Sequence, residues 1–111
     1  MVTVLVRMNF CNYVHKVDVN MNDEGTLDVH IESDCSHVMD FAEKLGGTIT
    51  MDDVTARQGS KLFDPEILAP LTMTCLAPNG VLDAAWLELG MLSKSQAKKV
   101  GGNDISYELV E

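Results

Sequence analysis

Residues 13–32 read YVHKVDVNMNDEGTLDVHIE, and this stretch decides the fold class. Apolar and polar residues alternate along residues 13–21 and again along residues 27–32, which is the period-two pattern of half-buried strands. The intervening NDEG at residues 22–25 has turn chemistry, because Gly25 can adopt a positive φ. The stretch therefore predicts two antiparallel strands joined by a short turn.

Two further segments carry strand patterns. Residues 2–7 are short and rich in β-branched side chains, which favours a first strand. Near the other end, Ile105, Tyr107 and Leu109 alternate with polar residues. We expect an antiparallel sheet, built from a three-stranded meander in the first 32 residues and a closing strand from Ile105 to Val110.

Two long segments have helical spacing. After a capping residue at Ser33 or Asp34, one apolar stripe runs through the first segment until the Gly46-Gly47 pair. The second segment enters at Pro78-Asn79 and continues to Gly90. The two apolar stripes comprise Val38, Phe41, Ala42 and Leu45, and Leu82, Ala85, Trp86 and Leu89. We expect both helices on one face of the sheet, with Trp86 largely buried against it.

The remaining segments predict short elements only. Thr50 with Asp52 and Asp53 favours a short helix as far as Arg57, and another helical turn begins near Pro65. Residues 93–99 are polar and basic, typical of a short helix or a loop. The whole pattern predicts one α+β domain spanning residues 1–111.

Charge and apolar run length exclude several classes of partner. The chain has 17 acidic and 8 basic residues and a formal net charge of −9, which disfavours nucleic acid and anionic membrane surfaces. Its apolar runs fall short of the ~20 residues that a membrane span needs. Three cysteines are too few and odd for a secreted disulfide scaffold, and the N-terminus lacks signal-peptide features. We expect a soluble cytoplasmic protein, monomeric or homodimeric, with an unidentified protein partner.

The three cysteines all fall at junctions between predicted elements. Cys11 lies between the first two strands, Cys35 at the start of the first long helix, and Cys75 shortly before the second. Strand ends and helix N-termini often meet at one end of a small α+β sheet, so the three thiols are expected to converge there. Thiolates are ligands for soft or borderline metals. We therefore expect Cys11, Cys35 and Cys75 to bind zinc or an iron–sulfur cluster, with a fourth ligand that the sequence does not identify.

Other side chains are weaker metal-ligand candidates. His37 follows Cys35 closely, but a histidine at a helix end is usually solvated. His15 lies on the more apolar face of its strand, where a hydrogen-bonded, half-buried imidazole is expected. His30 alternates outward, and the Asp52-Asp53 pair favours helix capping.

The order of elements and cysteines resembles the NifU-type iron–sulfur cluster scaffold domain, whose three cysteines occupy corresponding places. Tyr13 stands where those scaffolds usually carry an aspartate, and Thr74 where they often carry a histidine, so only the three thiol positions carry over. The pieces Ser33-Asp34-Cys35 and Cys75-Leu76-Ala77-Pro78 also resemble a small, uncharacterised archaeal family with three recurring cysteines.

Three functions remain open at the level of sequence. The first is a non-enzymatic metal- or cluster-binding domain. The second is a thiol function, such as sulfur carriage or redox exchange, with one cysteine as nucleophile and another as resolving partner. The third is an acidic protein-interaction module in which the cysteines only fill space, since free cysteine is often a buried apolar residue. No catalytic residue is assigned.

Overall fold

A computed structural model describes residues 1–109, and its chain begins with three consecutive antiparallel strands. They are β1 (Val2–Met8), β2 (Tyr13–Met21) and β3 (Leu27–Glu32). In the register, Val17 of β2 lies opposite a β-branched residue on each neighbouring strand. The predicted meander is therefore confirmed, with strands rich in the branched residues that pack well on a pleated surface.

The fourth strand of the sheet comes from a different part of the chain than predicted. Strand β4 (Thr48–Ile49) pairs antiparallel with β3 and completes an open sheet of order β1-β2-β3-β4. Residues 101–109 have no regular secondary structure, so the predicted C-terminal strand is wrong over residues 105–109, while Val110 lies outside the described residues. The apolar side chains of Ile105, Tyr107 and Leu109 are at least 71% exposed. An alternating sequence forms a strand only where it can pair with a sheet edge and bury its apolar face.

The helices lie between and after the strands. Helix α1 (Ser36–Leu45) ends where Gly46 adopts the left-handed conformation with φ 89°, as the glycine pair predicted. None of the helices in residues 1–109 combines the length and apolar character that a membrane crossing requires. The helices are α1 (Ser36–Leu45), α2 (Met51–Thr55), α3 (Pro65–Leu68), α4 (Ala77–Glu88) and α5 (Lys94–Val100), with a 3-10 turn at Lys61–Phe63.

The core lies between one face of the sheet and the helices. Helix α4 packs across β1 and β2, and α1 packs beside β3. The predicted stripe of α1 is confirmed, since Val38, Phe41 and Leu45 are all at most 1% exposed. Burying each such side chain contributes roughly 1.5–3 kcal/mol, so this stripe fixes α1 on the sheet.

The buried face of α4 matches the predicted stripe only in part: Ala85 is fully buried, whereas Leu82, Trp86 and Leu89 are partly buried against the core. Its most buried residues are small, and Gly80 and Val81 lie among them. Trp86 is only partly buried, and its indole Nε1–H donates to the backbone oxygen of Val54 in α2 at 2.7 Å. The predicted burial of Trp86 is therefore confirmed only in part: the side chain packs against the core, but it is not fully buried. Small residues let α4 approach the sheet closely, and the large indole is accommodated at the side of the helix.

Candidate functional site

The sheet topology brings two of the cysteines to the same end. Strands β1 and β3 both pair antiparallel with β2, so they run in the same direction. The turn after β1 carries Cys11, and the segment after β3 carries Cys35 three residues beyond Glu32. Both cysteines therefore follow strand ends on one end of the sheet.

Helix α4 brings the third cysteine to that end. Its C-terminal Glu88 accepts a hydrogen bond from the backbone N–H of Met21 at 2.8 Å and lies 3.4 Å from the amino group of Met1. Those two residues mark the opposite end of the sheet, so α4 begins at the end where Cys11 and Cys35 lie. Cys75 is two residues before the first residue of α4. The segments that carry all three cysteines converge.

The thiol of Cys75 is electrostatically linked to the other two. Burial raises the pKa of Cys75 above its ordinary value of 9.0, the backbone N–H of Ala77 opposes this by donating to the sulfur, and the negative charges of Cys35 and Cys11 raise it further. Like charges disfavour ionisation only when they are near each other in a poorly solvated place. Cys75 therefore lies within electrostatic range of both other thiols.

Cys35 is the N-cap residue of α1, so it lies at the helix start, as the sequence predicted. Its backbone is extended, with φ −79° and ψ 115°, and its side chain makes no capping hydrogen bond. The backbone N–H of Cys35 donates to Oγ of Ser33 at 3.0 Å, and the half-buried side chain packs against the core. Ser33 thus holds the backbone at the start of the helix, although it is not the N-cap.

Cys11 is the exposed member of the set. It lies in a tight turn in which Asn12 has a φ of 60° and donates its backbone N–H to the oxygen of Asn9 at 3.3 Å. The neighbouring Phe10 contacts Tyr107 edge to face, with ring centroids 6.0 Å apart. The turn therefore presents one thiol to solvent beside the C-terminal segment.

All three cysteines are free thiols. Within residues 1–109, no three histidine, cysteine, aspartate or glutamate side chains form a ready-made metal-binding group. The convergence is therefore one of chain segments and electrostatic range, without sulfur atoms already held in a ligand geometry.

The histidines occupy very different environments. His15 is 2% exposed, and its Nδ1 lies 2.6 Å from Oγ of Ser33. Burial lowers its pKa, so the imidazole is neutral at neutral pH. His15 is thus hydrogen-bonded, as expected, but more deeply buried. His37 and His30 are exposed, and Nε2 of His30 lies 3.3 Å from Glu32.

Asp53 has the capping role that the sequence favours. Its carboxylate accepts from the backbone N–H of Thr50 at 2.9 Å, while the Thr50 hydroxyl accepts from the N–H of Asp53. The second carboxylate oxygen accepts from the N–H of Lys61 at 3.0 Å. The carboxylate therefore stabilises α2 and the following turn, and its role is structural.

Sequence reasoning missed the link between Ser33 and His15, because it considered Ser33 only as a possible helix cap. One signal was present: His15 shares the inward face of β2 with Val17 and Val19, both fully buried. A buried imidazole among valines needs a polar partner, since an unpaired polar group in a core costs about 1–3 kcal/mol. Identifying that partner required the three-dimensional structure.

Comparison with known proteins provides a family and no activity. No curated protein and no solved structure matches the chain. A model of a family of unknown function, DUF6951, matches residues 2–100, which is most of the chain and includes all three cysteines. The chain therefore belongs to this uncharacterised family.

Proposed function

We propose that this chain is a small metal-binding domain in which Cys11, Cys35 and Cys75 act as thiolate ligands for Zn²⁺ or for the iron of an iron–sulfur cluster. The observation that carries the proposal is the arrival of all three cysteine-bearing segments at one end of the sheet. Three sulfurs suit soft or borderline metals in preference to Mg²⁺ or Ca²⁺, which take oxygen ligands.

The electrostatics of Cys75 supports a cation at this place. Burial and the charges of the other two thiols disfavour the thiolate of Cys75 in the metal-free protein. A bound cation removes both penalties, because it neutralises the neighbouring charges and deprotonates the thiols that it binds. The cluster of thiols is therefore poorly suited to three free thiolates and well suited to thiolates that share a metal.

Binding in this proposal includes a closing movement. Cys11 is exposed on a turn, whereas Cys35 and Cys75 are half-buried at helix N-termini. Zn–S bonds of about 2.3 Å require the three sulfurs to come within about 4 Å of one another. The turn between β1 and β2 is the element that moves, since its cysteine is the least packed of the three.

The likeness to NifU-type scaffolds extends the same proposal. Strand, cysteine turn, two strands, cysteine, helix and a later cysteine before a long helix follow one another here in the order that such scaffolds share. In this extension the domain holds a cluster for a protein partner, without an enzymatic activity of its own. The cytoplasm, where thiols stay reduced, is the compartment that suits it.

The direct test is metal analysis of protein purified without oxygen. We expect about one equivalent of zinc, or iron with sulfide, retained by the wild type and lost in Cys35→Ser. Titration with Co²⁺ adds a spectroscopic readout, because thiolate-to-cobalt charge-transfer bands report sulfur ligands directly. Ser36→Ala is the matched control, since it changes an exposed polar side chain on the same helical turn and leaves the thiols in place.

Thermal unfolding separates a functional site from a structural one. We expect Cys35→Ser to fold with nearly unchanged stability in the absence of metal, because Cys35 is only half-buried at the margin of the core and serine is of similar size. Unchanged metal content in Cys35→Ser, or absence of metal and of cobalt–sulfur bands in the wild type, would contradict the proposal.

A thiol-exchange function is the second candidate, and the unequal exposure of the cysteines favours it. Cys11 is accessible to a partner, and Cys75, whose pKa the charge of Cys11 raises, is the candidate to resolve a mixed disulfide once the turn closes. In that case, a disulfide-bearing probe forms a mixed disulfide with Cys11 first. A second cysteine then displaces the probe as a free thiol and forms an internal disulfide. Mass analysis of each cysteine after exposure to such a probe distinguishes this outcome from metal binding.

A further inference from the structure

We propose that His15 is a positioning residue for Cys35 and acts on it through the hydroxyl of Ser33. Two contacts form the link: Nδ1 of His15 lies 2.6 Å from Oγ of Ser33, and the same oxygen accepts the backbone N–H of Cys35 at 3.0 Å. The link joins residue 15 of the second strand to residue 33 of the segment after the third strand. It goes beyond metal binding, because it concerns the Cys35 thiol whether or not a metal is present.

Burying His15 in the core costs free energy, because the polar imidazole loses its contacts with water. It faces the core beside Val17 and lies opposite Val6 in the register of β1 and β2. The ring of Tyr13 lies nearly parallel to the imidazole, with the ring centroids 6.3 Å apart. An apolar residue would fill this space without desolvating a polar ring, and departures of this kind cluster at functional sites.

The chemistry of the hydroxyl explains how the link holds Cys35. A serine hydroxyl has one proton and two acceptor lone pairs. One lone pair takes the N–H of Cys35, and the imidazole either receives the hydroxyl proton at Nδ1 or donates its own proton to the second lone pair. Both tautomers fix the rotamer of Ser33, because the oxygen is held from two sides.

Fixing Ser33 matters because Cys35 has no other capping bond. Its side chain accepts nothing from the first turn of α1, and Asp34 between the two residues is exposed. The N–H bond to Ser33 therefore holds the Cys35 backbone at the helix start, the position from which its side chain packs against the core. Loss of His15 frees the serine, loosens the backbone at the helix start and exposes the thiol.

The test is site-resolved alkylation of metal-free protein, with each cysteine quantified by mass spectrometry. His15→Phe keeps a planar aromatic ring, slightly larger than imidazole, and removes the hydrogen bond, and Ser33→Ala removes the shared oxygen. Loss of one hydrogen bond corresponds to a change of about fivefold, so Cys35 should react about fivefold faster in each variant. Cys75, which is also half-buried, and Cys11 should stay within about twofold of their wild-type rates.

Two further variants separate positioning from general stability. His15→Asn places an amide nitrogen or oxygen near the position of Nδ1, so we expect it to restore slow alkylation of Cys35. His30→Phe changes an exposed histidine on the next strand and should leave all three rates unchanged. The double variant His15→Phe/Ser33→Ala should be no faster than either single variant, because both break the same link.

Three results would overturn the inference: an unchanged Cys35 rate in Ser33→Ala, an equal acceleration of all three cysteines, or no rescue by His15→Asn. Ser33→Ala keeps the test decisive if His15→Phe folds poorly, because Ser33 lies in a partly exposed segment. The experiment uses chelator-treated protein, so its result is independent of whether the metal proposal succeeds.

Discussion

Gly80 of α4 lies so close to Val6 of β1 that a Cβ atom on the glycine would overlap the Cγ2 atom of the valine. Val6 is 7% exposed and cannot swing aside, because a β-branched side chain inside a strand has few alternative rotamers. This contact sets how near α4 approaches the sheet. It therefore also sets the position of Cys75, which precedes the helix.

Gly80→Ala should destabilise the protein, although alanine is the better helix former. The helix gains up to about 1 kcal/mol in propensity, whereas overpacking a tight core contact costs about 1–3 kcal/mol. Chemical denaturation should show a lower free energy of unfolding for Gly80→Ala than for the wild type. In the Val6→Ala background the same Gly80→Ala change should instead raise the free energy of unfolding, because the overlap is gone. Asn79→Ala, at an exposed position of the same helix, is the control; equal stability of the Gly80 and Asn79 variants would show that the contact is unimportant.

The pH profile of Cys75 alkylation tests the convergence of the thiols. Because the folded pKa is raised above 9.0, first by burial and then by the charges of Cys35 and Cys11, its rate should rise at higher pH than that of an ordinary thiol. Cys11→Ser/Cys35→Ser removes both charges, so the profile of Cys75 should move to lower pH. The control variant His37→Ser should not move it. An unmoved profile in the cysteine double variant would mean that the thiols are too far apart to interact.

His15 should make stability depend on pH. Its folded pKa is lowered below the ordinary 6.5 by burial, so the unfolded chain binds the proton more readily. The stabilisation from a neutral His15 is complete above about pH 6.5 and is lost as the pH falls through the lower folded value. Denaturation at a series of pH values should show this slope in the wild type and in His30→Phe, and a smaller slope in His15→Phe.

Asp53→Asn should destabilise the segment that joins α2 to the 3-10 turn. Burial alone raises the pKa of Asp53, but the backbone N–H groups of Thr50 and Lys61 outweigh it and lower the pKa overall. The asparagine amide turns a donor toward one of those N–H groups, which costs about 1–3 kcal/mol. Fluorescence of Trp86, whose indole bonds to Val54 in α2, reports the unfolding. Asp52→Asn, at an exposed neighbour, should have little effect.

Sequence periodicity correctly predicted the elements that pack against parts of the chain close to them in sequence. The meander follows from alternation in residues 13–32, and the core stripe of α1 from the spacing of Val38, Phe41 and Leu45. Alternation failed in residues 105–109, because an extended pattern becomes a strand only where a sheet edge accepts it. The predicted stripe of α4 is only partly buried, because small residues that the sequence reasoning did not recognise, Gly80 among them, form the face nearest the sheet.

The candidate site was predictable as a set of positions, and its interactions were not. Sequence alone placed three cysteines at element junctions, since turn residues, caps and periodicity are local properties of the chain. Tertiary structure brought the segment of Cys75 to the end of the sheet that carries Cys35 and Cys11, and it linked His15 to Cys35 through Ser33. Those contacts join residues far apart in sequence, and their geometry follows from strand direction and from the close approach of α4 to β1. Short-range patterns determine which elements form, and side-chain packing between elements determines which residues meet.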